Sequence, residues 1–257
     1  MRRTTSSNRA GFTLAELLVV IAIISTLLAL LVPAVRLAIS SARKAAIKTE
    51  IDMLHMAVMN YKNEYGGLPP CVGYTNALSE RPVRHLRRLF PRCTTVAINM
   101  DDPRYPLDQF RGEYSPKVTE LNPANSLLFW LSGYTSDPEK PLIPAPSRKS
   151  MYDYDQLRAK NYVYKAPYSL DTAYLFFDSG SYETLDGTTR TIQNPFTNQS
   201  EPVTFEIPKH PKTGEFLEPG RFIILAAGLD GEFYTADDLS NAWTGTWESF
   251  KSQVASQ

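Results

Sequence analysis

An α+β fold, in which one long N-terminal helix packs on a small antiparallel sheet amid loop-rich insertions, is what this sequence predicts. Of its nineteen prolines only Pro33 lies before residue 69, so the first quarter of the chain is open to uninterrupted helix. Residues 12–32 form an apolar run, and apolar residues then recur at helical spacing as far as Tyr65. Beyond residue 160, short aromatic and β-branched runs alternate with turn-forming residues, which is the pattern of strands.

Composition narrows the functional classes. The chain has 257 residues, 43% hydrophobic and 21% charged, which describes a globular protein rather than a disordered or collagen-like one. Its 27 basic and 27 acidic residues balance, so no global field favours nucleic acid. Two cysteines exclude a disulfide-dense scaffold and a four-thiolate zinc site.

The elements follow in chain order. Residues 1–11 are a short polar leader with Arg2, Arg3 and Arg9. From Phe12 to Val32 the chain reads FTLAELLVVIAIISTLLALLV, with Glu16 its one strongly polar residue. As a helix rising about 1.5 Å per residue, this run spans roughly 30 Å, one hydrocarbon thickness. Arginines before it and none within it place the leader on the cytoplasmic side. An ordinary secretory signal is cut after its apolar stretch. Here Val32-Pro33-Ala34-Val35 continue the helix, and the candidate cut lies before the run, between Gly11 and Phe12. A carboxylate inside a bilayer helix costs on the order of 2.5–3.5 kcal/mol, so Glu16 either sits at the interface or meets a partner. A chain cut at Gly11 presents a new α-amino group on Phe12, which Glu16 of a neighbouring copy can neutralise.

Gly11-Phe12-Thr13-Leu14-Ala15-Glu16 followed by LLVVIAII resembles the prepilin signature of type IV pilins and type II secretion pseudopilins. The resemblance extends from residue 9 to about residue 65. It implies a pilin-like fold and a dedicated prepilin peptidase that cuts after Gly11 and methylates Phe12. It also implies that Glu16 guides docking of subunits. The implied partners are that peptidase, an inner-membrane assembly platform, and other copies or related subunits in a filament. The implied location is the bacterial inner membrane, single-pass with the N-terminus cytoplasmic and the head outside, and then a filament in the periplasm or at the cell surface. The domain plan is a leader (1–11), a transmembrane and filament-core helix (12–33), an amphipathic helix (34–66) and a periplasmic or extracellular head (67–257). Pro33 falls where such pilins often carry a kinking proline; a harmless bend and a role in packing are both open.

Within 34–66, Ile47, Ile51, Leu54, Val58, Tyr61 and Tyr65 draw one stripe, with Arg43, Lys44, Lys48, Glu50, Asp52 and Lys62 on other faces. Gly66-Gly67, with Pro69 and Pro70 beyond, stops the helix. The stripe reads as a face packed on the chain's own globular part rather than a coiled coil. His55, Met53, Met56 and Met59 read as packing or surface residues. Ser79 caps a short helix running to about Phe90, whose Arg84, Arg87 and Arg88 read as a solvated face, so nucleic acid is not an expected partner. Asn122-Pro123 starts a helix around Leu127–Leu131 that Gly133 stops, and 137–148 is irregular connection. Strand runs are Tyr162–Tyr164, Tyr174–Phe177, Val203–Ile207 and Phe222–Ala226, with a turn at Asp186-Gly187. Cys71 and Cys93 form a permitted disulfide if the head lies outside the cytoplasm; two separate thiols are equally open.

Near the C-terminus, Asp230, Asp237 and Asp238 fall within nine residues, with Gly228 and Gly231 allowing tight turns. Spacing alone describes a surface turn. The loop also resembles the calcium-binding loop of major pseudopilins. That resemblance implies calcium held by Asp230, Asp237 and Asp238, with the Leu229 carbonyl as an extra ligand. Glu232-Phe233-Tyr234 departs from the pattern, where glycine is more usual. No Walker-type, H-E-x-x-H or G-x-S-x-G motif occurs, and His55, His85 and His210 are scattered, so catalysis is not expected. The expected function is that of a prepilin-like structural subunit of a type IV pilus or type II secretion pseudopilus. The alternative is a membrane-tethered binding or enzymatic domain that uses the leader for targeting. A head of about 190 residues leaves major and minor subunit roles open.

Overall fold

The computed structural model describes residues 14–71, 80–93, 121–142, 148–160, 162–169, 171–194, 196 and 199–256. The chain is α+β, with a long N-terminal helix and small antiparallel sheets. It divides into two compact units, residues 1–42 and 43–257. Helix α1, Leu14–Tyr65, runs through Pro33 without a break.

In the first unit the described residues are all helical, and their apolar side chains are exposed from Leu14 to Ile39. Thr26 returns its hydroxyl to the Ile23 carbonyl at 2.8 Å, so this mild polar residue is satisfied within its own helix.

The second unit is organised around the later turns of α1. Ile47, Ile51, Leu54, Val58 and Tyr61 are fully buried, as the stripe predicts, and Tyr65 packs at the core's edge. The helix ends at Tyr65, where Gly66 takes φ +71° and returns its N–H to the Lys62 carbonyl at 2.8 Å. Glu50 departs from the expectation that it lies on another face of the helix. It is 5% exposed, because position 50 stands three residues from Ile47 and four from Leu54, on the stripe itself.

Helix α2 is Glu80–Leu89, close to the expected span. Helix α3, Ser126–Leu131, begins later than Asn122-Pro123 suggests. The Asn122 side chain accepts from the N–H groups of Ala124 (2.9 Å) and Asn125 (3.3 Å), while Asn125 Oδ1 accepts from Asn122 N (2.7 Å). The two amides thus close a turn over Pro123 before the helix starts. All six residues of α3 are buried, and Trp130 donates its indole N–H to the Pro70 carbonyl at 2.9 Å. Gly133 ends the segment at φ +75°, and a side chain there would strike the Lys149 carbonyl.

The strands are β1 (Ala159–Lys160), β2 (Val163–Tyr164), β3 (Leu175–Asp178), β4 (Thr188–Asn194), β5 (Gln199–Phe205), β6 (Phe222–Ala226) and β7 (Leu239–Ser240). Their order, which the sequence leaves open, is a three-stranded antiparallel sheet β3-β6-β7 and two hairpins, β1-β2 and β4-β5. In the central pair Phe176 faces Ile224 and Phe177 faces Ile223. Both strands are buried throughout, which explains their continuous apolar runs. A short helix, α4 (Tyr182–Leu185), precedes β4, with Gly187 at φ +72° in the expected turn. The chain closes with α5, Trp247–Ser256. Asp178, at the end of β3, joins distant segments by accepting from Cys71 N (2.6 Å), Arg81 (2.6 Å) and Gly180 N (3.1 Å).

Candidate functional site

The first candidate site is the start of α1. Gly11 and Phe12 lie outside the described residues. Glu16 sits in the first turn of α1, where the helix dipole favours a carboxylate. An 18-residue window of this helix has mean hydropathy 2.9, and none of it is buried within the molecule. Leu14 and Leu30 are each 77% exposed. By length and composition the helix can cross a membrane. Covering one such leucine, isoleucine or valine gains about 1.5–3 kcal/mol, so a continuous apolar surface of this length demands lipid or protein around it.

A second constellation grips α1 within the other unit. Glu50 accepts from both terminal nitrogens of Arg158, one of them at 2.8 Å, and from the hydroxyls of Tyr164 (2.7 Å) and Tyr174 (2.7 Å). Tyr152 adds a longer bond at 3.3 Å. Burial alone pushes the Glu50 carboxyl up, but the bonds from Arg158, Tyr174 and Tyr164, with Arg158's charge, outweigh it and hold the pKa low. Lys48 reinforces the grip by donating to the carbonyls of Ser240 (2.6 Å) and Trp243 (3.2 Å). These residues lie too far apart in the sequence to read as a set. Its one available signal was Glu50's place on the apolar stripe.

The structure places Asp230, Asp237 and Asp238 on one loop. Leu229 is joined to it through its N–H, which donates to Asp237 Oδ2 at 2.8 Å. Asp230 accepts from Glu232 N (2.9 Å), and Asp238 from Tyr234 N (2.7 Å). The Thr235 hydroxyl lies 3.2 Å from Asp237 Oδ1 and 3.4 Å from Asp238 Oδ1. Gly228, at φ +53°, lies so close to the Asp237 carboxyl that a side chain would not fit between them. Burial and then the charge of Asp230 push the Asp238 carboxyl up to about 7, against the N–H bonds from Tyr234 and Thr235. Burial raises the Asp237 carboxyl, but the Leu229 N–H, the bonds from Asp230 and Thr235 and the charge of Lys44 outweigh it and hold its pKa low. As placed, no group of three or more His, Cys, Asp or Glu side chains among the described residues forms a metal-holding set.

Cys71 and Cys93 are separate buried thiols rather than a disulfide. Burial, then the neighbouring Asp178 charge, pushes the Cys71 thiol up; burial does the same to Cys93. Arg84, Arg87 and Arg88 are exposed on α2, as expected. His85 points inward, its Nε2 2.8 Å from the Tyr61 hydroxyl, and His55 packs on Phe222 with ring centroids 4.9 Å apart.

Residues 6–32 match a family model described as a prokaryotic N-terminal methylation motif, the prepilin-type signature. The match contains Gly11, Phe12 and Glu16. No curated protein and no solved structure matches the chain. The motif supports a pilin-like or pseudopilin precursor, and with the one long apolar helix among the described residues it points to a membrane-anchored single-pass chain.

Proposed function

We propose that this chain is a prepilin-like structural subunit, processed by prepilin peptidase and assembled into a type IV pilus or type II secretion pseudopilus. The carrying observation is the methylation motif at the head of a helix whose apolar side chains find no cover within the molecule. Before assembly, lipid covers that helix. In a filament, the same surface packs on the helices of neighbouring subunits. Lipid tails are as apolar as leucine, so this exchange is driven by packing and by polar pairs rather than by hydrophobicity. Glu16 supplies such a pair by meeting the new α-amino group of a neighbour's Phe12, where low dielectric strengthens the attraction. The second unit decorates the filament, tied to α1 through Glu50 and Lys48. Assembly is a sufficient function, and we assign the chain no catalytic role.

The test is Glu16→Ala. The reading predicts normal processing and methylation but at least a tenfold fall in sheared filament yield. Normal filament yield from this variant contradicts the docking role.

We further propose that the Asp-rich loop takes calcium. The support is the loop's sequence pattern, three aspartates within nine residues with Gly228 and Gly231 at positive φ. Asp230, Asp237 and Asp238 would hold the ion, re-aiming toward it from their present backbone partners, and the bound charge would close the loop.

A further inference from the structure

A cavity of about 510 Å³ opens between α2, the turn after α1 and the Ser179-Gly180 turn. Arg81, Arg84 and Arg88 line it together with Asp178. The arginine spacing, i, i+3 and i+7, puts the three on one face of α2. Gly67, Leu68, Pro70, Ser179 and Gly180 line it from the other segments. A side chain at Gly180 would strike the Arg81 guanidinium, and one at Gly67 would strike that of Arg88.

The charge in this cavity does not balance. Asp178 is its one carboxylate, and that group already accepts from Arg81, from Cys71 N and from Gly180 N. Arg84 and Arg88 make no ion pair with any described residue. Arg81 Nη1 is buried without a hydrogen-bond partner, so Asp178 does not use up that guanidinium. His85, on the same wall, has its pKa lowered to about 4, by burial first and then by the charges of Arg88 and Arg81. The imidazole thus feels the same surplus positive field. The whole chain carries a formal net charge of zero, so this local excess is not a by-product of a basic protein.

We propose that this cavity is an anion site that binds a phosphate group. Guanidinium forks present paired N–H donors that match phosphate oxygens, and three of them around a recess suit a tetrahedral oxyanion with several acceptors. A cation would meet three like charges. An apolar ligand would leave the guanidiniums unpaired. The volume lies within the range of small-ligand clefts, about 300–1,000 Å³, and suits a phosphorylated small molecule.

The test uses the full chain in dodecyl maltoside, which carries no phosphate, titrated with inorganic phosphate by calorimetry at low ionic strength. Saturable binding is expected, weakened at least tenfold in the Arg84→Gln/Arg88→Gln double variant and reduced by added chloride. Both substituted residues are exposed and make no ion pair with a described residue, so the fold is not at stake. Arg87→Gln, on the same helix but outside the cavity, should bind as the parent does. Three outcomes overturn the proposal: no saturable binding, equal weakening by Arg87→Gln, or acetate binding as tightly as phosphate. Length-dependent capture of single-stranded DNA in place of saturable phosphate binding would likewise overturn the small-anion assignment.

Discussion

Replacing Glu50 by alanine removes the carboxylate on which Arg158, Tyr164 and Tyr174 converge. Breaking a buried ion pair by deleting one partner costs about 3–5 kcal/mol, because the other charge is left without compensation. Here the Arg158 side chain keeps 20% of its surface exposed, against 7% for Glu50, so the abandoned guanidinium is partly wetted. The cost therefore falls at the low end, about 3 kcal/mol. For a unit of this size each kcal/mol moves the melting point by about 2–4 °C, so Glu50→Ala should lower Tm by roughly 6–12 °C. Near-ultraviolet circular dichroism of the full chain in micelles is the assay, since Tyr152, Tyr164 and Tyr174 all report on this site. Arg158→Met leaves a more deeply buried charge and should cost more. The double variant should cost less than the sum of the two. The pH dependence has a definite sign. Glu50's pKa is lowered from about 4.5, so the pair's contribution is complete above that value and is lost as pH falls through the lower folded pKa. Glu50→Gln should lack this acid-side loss. A Tm change under 2 °C in Glu50→Ala, or strict additivity in the double variant, refutes the argument.

Two further outcomes test the second unit. Calcium should raise the melting point of the parent, and Asp230→Asn/Asp237→Asn should abolish that rise; a Tm indifferent to calcium and to chelator removes the metal from the loop. Cys71 and Cys93 should resist a thiol reagent in the native state and both react in denaturant; absence of free thiol after denaturation without reductant means that they are bonded.

Local signals were legible in the sequence where the physics is local. The stripe from Ile47 to Tyr61, the stop at Gly66, the boundaries of α2 and the β3 and β6 runs all follow from periodicity, glycine and β-branching within a few residues. Strand β4 was missed because Thr188–Asn194 is polar and becomes a strand only through its partner β5. Helix α5 was also missed, although Trp247, Phe250 and Val254 recur at spacings of three and four. The Glu50 site was not readable, since Arg158, Tyr164 and Tyr174 lie more than 100 positions away and only the fold brings them together. The cavity beside Arg84 and Arg88 was hidden for the same reason. Sequence showed arginines on a helix face, while its opposite wall comes from the segment after α1 and the turn after β3.

Intact mass of the chain recovered from sheared filaments decides whether this helix is processed and polymerised. A processed subunit begins at Phe12, lacks residues 1–11 and is one methyl group heavier than its remaining sequence. A chain that stays in the membrane fraction with its leader attached, in cells that hold active prepilin peptidase, contradicts the proposed function.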